Sequence, residues 1–193
     1  MPSRFFSLIA LVCFLPALHA QSHSETPAKF QVYGGYSLLS NSLNGVPGSH
    51  HPLNGFDASI AFNSWHRFRF KIDTSGYVGS NLGSPQHPYF LLGGTQYTIH
   101  IRKEAIFLEG LGGTGGASKS WPANGAIGQT ASFAGLAGGG LDTPITRRIA
   151  FRVSGGYQYS YFTFTRPLTV IPYSIPGLPT NFGRISTGFV WQF

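Results

Sequence analysis

Apolar and polar residues alternate along most of this chain. In RIAFRVSGGYQYSYF, positions Ile149, Phe151, Val153, Tyr157, Tyr159 and Tyr161 share one face, and Ala150, Arg152, Ser154, Gln158 and Ser160 share the other. The same period of two separates Phe68, Phe70, Ile72 and Thr74 from Arg69, Lys71, Asp73 and Ser75, and Phe56, Ala58, Ile60 and Phe62 from Asp57, Ser59 and Ala61. It returns at the C-terminus, with Ile185, Thr187, Phe189, Trp191 and Phe193 against Arg184, Ser186, Gly188, Val190 and Gln192. A period of two is that of a strand with two unlike faces. Weaker alternation fills the gaps: Phe30, Val32, Tyr36 and Leu38; Tyr89, Leu91, Tyr97 and Ile99; Ile106 and Leu108 opposite Glu109; and Phe133, Ala137 and Leu141 opposite Asp142.

The pattern predicts eight strands, at 29–38, 54–63, 67–78, 88–99, 104–113, 131–142, 148–161 and 181–193. Links after the second, fourth and sixth are tight, around NSWHR, HIRK and TPITR. Those after the first, third, fifth and seventh are long and rich in Gly, Pro, Ser and Asn. An even set of antiparallel strands, with short turns at one end and long loops at the other, is the plan of an outer-membrane barrel. The expected fold is all-β, an eight-stranded antiparallel up-and-down transmembrane β-barrel.

A soluble barrel with an apolar cavity has the same strand pattern, and the charged residues separate the two. Charged residues make up only 10% of the chain and aromatics 15%, with 26 glycines. A soluble barrel needs charge spread over its outer face, and this composition supplies too little. Asp57, Asp73, Glu109 and Asp142 fall on the polar face with Arg69, Lys71, Arg152 and Arg184. Four negatives and four positives in a narrow lumen predict an ion-pair network within a packed polar core. Glu109 is placed opposite Arg152. The other face holds almost no charge, and its aromatics gather toward the strand ends: Tyr36, Tyr89, Tyr157, Tyr159 and Tyr161 toward the long loops, and Tyr97, Trp191 and Phe193 toward the short turns. Such bands are interfacial girdles.

The first twenty residues read differently. Met1–Arg4 is positively charged, FFSLIALVCFLPAL is apolar, and a small residue stands at Ala20, which together predict a signal peptide over 1–20 and a barrel domain over 21–193. Cys13, the only cysteine, goes with the leader, so no disulfide is expected. The net charge of +7 loses one with Arg4. No cluster of Lys and Arg suits a nucleic acid, so the expected partners are outer-membrane lipids with their anionic headgroups.

The closing STGFVWQF puts Phe189, Trp191 and Phe193 on one face and ends in Phe. This resembles the C-terminal signature of outer-membrane β-barrels, and the chain from residue 21 is similar in plan to the small OmpA/OmpX-like barrels, the outer membrane protein β-barrel domain. The resemblance implies export through a cleavable signal, handling by periplasmic chaperones, recognition of the terminal aromatics by the barrel-insertion machinery, and a monomer in the bacterial outer membrane with its long loops outside. With the final strand running to Phe193, no cell-wall-binding domain like that of the two-domain members is expected after the barrel.

Three functions remain after this reading: a structural or surface-interaction role through the extracellular loops, such as the proline-stiffened PLTVIPYSIPGLPTNFG; a narrow porin-like channel; and a lipid-modifying enzyme, resting only on His50, His51 and His87. His66 and His100 fall in the short turns and His23 near the leader, away from the outer rim. No Ser or acid stands beside the loop histidines at a motif-like spacing, so no catalytic residue is assigned. Adjacent His50 and His51 project in different directions with no nearby carboxylate to complete a metal shell. GLGGTGG and GLAGGG lack the Lys-Ser/Thr of a phosphate loop, and fit better as relief of crowding in a barrel wall. No cofactor is expected.

Overall fold

Within a bilayer every backbone N–H and C=O must find a partner in the protein, and a ring of strands closed on itself does so with no free edge. The computed structural model describes residues 29–42, 52–65, 67–81, 84–120, 127–166 and 173–193. They form such a ring of eight strands: β1 (Phe30–Ser42), β2 (Pro52–Trp65), β3 (Phe68–Asn81), β4 (Ser84–Ile101), β5 (Glu104–Ser120), β6 (Ile127–Pro144), β7 (Ile149–Arg166) and β8 (Tyr173–Gln192). Each strand pairs antiparallel with its neighbours in sequence, and β8 returns to β1, with Val32 opposite Trp191 and Leu38 opposite Ile185. The leader assigned to 1–20, including Cys13, lies outside the described residues.

The strands are longer than the alternation predicts, mainly at the long-link end. β8 starts at Tyr173 rather than 181, and β7 runs to Arg166 rather than 161. Once two strands are in register, each further pair satisfies its own backbone groups whatever its side chains are. Two expectations change as a result. The link after β3 is not long: Asn81 pairs with Ser84, leaving only positions 82–83 between the strands. Nor is the proline-rich segment wholly a loop, since Pro179 pairs with Tyr161 and Ile175 with Phe164, across a register shift between Phe162 and Phe164. Proline is tolerated beside such irregularities because a ladder hydrogen bond is already missing there.

Alternation assigns the two faces as expected. Phe56, Ile72, Leu91, Leu108, Phe133, Val153 and Ile185 are exposed on the outside, and between the aromatic bands no Asp, Glu, Lys or Arg among the described residues occupies an outward position. At the short-turn end the outer rings touch: Phe30 and Phe62 at 5.2 Å, Phe68 and Tyr97 at 4.9 Å, Phe151 and Phe189 at 5.8 Å. No helix among the described residues is long and apolar enough to cross a membrane; the strands present the apolar belt instead.

The lumen is not uniformly polar, which corrects the expectation of a polar core. Toward the long-link end it is filled by Leu39, Leu53, Tyr77, Phe90, Leu92, Leu111, Ala134, Leu136 and Phe182. The charged residues occupy the middle and the short-turn half, with Tyr33, Ala150 and Val190 as a second apolar cluster. A lumen this narrow excludes water, so apolar packing fills it as well as ion pairs do. Glycines make the room. Phe107 lies directly across from Gly140, where an added Cβ would come within 2.7 Å of the ring. Phe90 stands likewise against Gly115, its ring 2.5 Å from where a Cβ would be. Large inward rings are thus laid over bare backbone on the next strand.

Candidate functional site: the charged centre of the lumen

Inward positions on β2, β3, β5, β6, β7 and β8 bring eight ionisable side chains into the barrel. Arg184 on β8 reaches across to two strands: one guanidinium nitrogen lies 2.6 Å from Asp57 Oδ2, and another 3.0 Å from Asp73 Oδ1. Its Nε donates to Ser186 Oγ at 3.5 Å, Ser186 donates to Ser37 Oγ at 2.9 Å, and Ser37 meets the Tyr77 hydroxyl at 2.9 Å. Lys71 bridges Glu109, at 2.8 Å, and Asp73, at 3.2 Å. All five charged groups are buried, so their mutual attraction is little screened.

Arg152 forms a separate unit. It binds Asp142 on the adjacent strand in bidentate fashion, Nε to Oδ1 at 2.6 Å and Nη2 to Oδ2 at 2.7 Å. Its guanidinium carbon lies 4.4 Å from the Phe107 ring centroid and 5.4 Å from that of Tyr33. A planar cation held by a fork on one edge and by rings on its faces is rigid. Glu109 is therefore the partner of Lys71, not of Arg152 as alternation suggested. Neighbouring inner positions on one strand are two residues apart, but barrel stagger decides which residues meet across the lumen.

The overall balance of four acids and four bases conceals a separation of charge. Asp57, Asp73 and Glu109 share two cations, Lys71 and Arg184; Asp142 and Arg152 cancel. Arg69, also buried, is left without an ion pair among the described residues. Asp57, whose Oδ1 has no hydrogen-bond partner, lines a cavity together with Glu109, Leu136, Ser154, Arg184 and Ser186. That cavity admits no more than a water-sized sphere.

Sequence reasoning missed Tyr33, Tyr77, Ser37, Ser186 and Phe107, which brace the charged groups. Their signal was present: each holds an inward parity, and Phe107 faces a glycine run. Among the histidines, His87 lies within β4 opposite Ser118 rather than in a loop, and His100 pairs with Ala105 next to the short turn; both are exposed. His23, His50, His51 and His66 lie outside the described residues. Among those described, no three His, Cys, Asp or Glu gather as metal ligands. Phe189, Trp191 and Phe193 point outward in a row. The Phe193 N–H donates to Phe30 O at 2.9 Å, and Phe30 N–H to Phe193 O at 3.3 Å, which ties the last residue to the first strand.

No family model matches the chain, and no curated protein matches it. Solved structures do. Neisserial surface protein A is similar over 88% of this chain and 100% of its own, with a TM-score of 0.65 at 16% identity. Ail, the attachment invasion locus protein of Yersinia pestis, is similar over 87% of this chain and 100% of its own, with 0.59 at 13%. Outer membrane protein W of E. coli is similar over 88% and 100%, with 0.54 at 10%. At such identities the likeness is one of fold. The chain has the all-antiparallel, eight-stranded closed fold of the small outer-membrane barrels.

Proposed function

We propose that this chain is a bacterial outer-membrane barrel that acts through what its long-link end presents to the outside, and that it carries neither a solute flux nor a catalysed reaction. Its leader directs export, its terminal Phe189, Trp191 and Phe193 serve insertion, and its short turns stand in the periplasm. It works as a monomer embedded in outer-membrane lipid. The observation that carries this reading is the filled lumen. The apolar cluster from Leu39 to Phe182 and the Arg184 and Lys71 network close the interior in successive layers. With the interior closed, surface display is the function the geometry supports best. Two of the similar structures are, by their names, a surface protein and an attachment protein.

Two measurements test it. In planar bilayers the purified barrel should show no resolvable conductance steps at modest voltage, whereas regular steps would move the reading to a narrow channel. A peptide tag placed within 121–126 should be reached by antibody on intact cells, while one at Arg102–Lys103 should need permeabilised cells. The reverse pattern would overturn the orientation.

A further inference from the structure

Arg69 is only 5% exposed, yet every carboxylate in the lumen is engaged elsewhere: Asp57 and Asp73 by Arg184, Glu109 by Lys71, and Asp142 by Arg152 through both oxygens. A buried guanidinium with no counter-charge is costly, because it has lost hydration without gaining a partner ion. The charges nearest to it in effect are Arg152 and Asp142, which already hold each other through both carboxylate oxygens. Arg67, two residues before Arg69 and just ahead of β3, has the same parity and adds positive charge at the short-turn mouth, where its carbonyl accepts from Thr98 N–H at 2.9 Å. Gln96 and Gln31, both buried and inward, each carry an amide with hydrogen-bonding capacity unused at Oε1. An amide turned through half a rotation presents N–H groups in place of that oxygen.

We propose that Arg69 is the floor of an anion site at the short-turn mouth of the lumen, taking a small tetrahedral oxyanion of the phosphate or sulfate class. Arg69 supplies paired N–H donors to two of the anion's oxygens. Arg67 adds charge at the rim, and Gln96 and Gln31 complete the donor set. The ligand enters from the short-turn side, since the opposite side of the lumen is closed by the apolar cluster.

The test is a titration of the folded barrel with inorganic phosphate, in a maltoside detergent that has no phosphate of its own, followed through the arginine Nε–H resonances. The expected result is a saturable shift of one buried arginine signal that is lost in Arg69→Gln, while the Arg152 and Arg184 signals hold their positions. Arg69→Lys, which keeps the charge but not the fork, should bind roughly tenfold more weakly. Absence of a saturating shift in the wild-type protein overturns the proposal, as does saturable binding that survives Arg69→Gln. Unheated gel mobility shows whether each variant is folded. Should Arg69→Gln fail to fold, Arg69→Lys decides: affinity equal to wild type overturns the paired-donor site.

Discussion

Removing the Arg184 guanidinium would leave Asp57 and Asp73 in a dry interior with Lys71 as their remaining partner. Breaking a buried pair from one side costs about 3–5 kcal/mol. Arg184→Met should therefore lower the unfolding free energy, measured by urea titration of the barrel in lipid vesicles, by that amount, and adding Asp57→Asn and Asp73→Asn should recover most of the loss. A second residue-scale contrast comes from the glycines. At Gly140 a new Cβ meets the Phe107 ring and the Val153 carbonyl, whereas at Gly112 nothing lies within 4 Å. Gly140→Ala should cost about 1–3 kcal/mol through overpacking. Gly112→Ala should leave the unfolding midpoint nearly unchanged, and equal effects of the two substitutions would refute this account of how the lumen is packed.

At the scale of the strand, the two faces are legible in the sequence wherever one side of the wall is lipid. Phe68, Phe70 and Ile72 against Arg69, Lys71 and Asp73 leave one assignment of faces, because a one-residue slip would put three charges in hydrocarbon. Strand ends were not legible. Beyond the apolar belt, the pairing of Ser80 with Pro85 or Thr165 with Ser174 answers to backbone hydrogen bonding alone. The partners of the lumen charges were legible only in part, since Lys71 meets Glu109 on β5 through the stagger of the barrel and not through nearness in sequence. β8 carries two seams at once, to β7 and to β1. Phe193→Ser removes an outer contact with Phe30, 5.9 Å between ring centroids. It should slow assembly in cells more than it lowers the stability of refolded protein, measured as unheated-form yield against urea midpoint.

For the whole molecule, the inward apolar cluster is what the alternation least revealed. Leu39, Leu53, Phe90 and Leu92 sit at polar-face parity, and a closed lumen accepts either chemistry as long as it is full. Its prediction is direct. Replacing Phe90, Leu136 and Phe182 together by Ala removes the layer between the ion pairs and the long-link end, and bilayer recordings should then show small, brief openings absent from the parent. A silent triple variant, still folded by gel mobility, would place the seal at the ion pairs instead.

The hydrogen bonds between Phe30 and Phe193 bring the two ends of the described barrel together at its short-turn rim. The strand order is consequently cyclic, and no strand is first by geometry. Joining residue 29 to residue 193 with a short linker and cutting between Asn81 and Ser84 would give a permuted chain with the same neighbours in the same register. It should refold in detergent to the parent's gel mobility. Folding in the test tube would then be separated from delivery in the cell, where a chain no longer ending in Phe193 would lack its terminal aromatic.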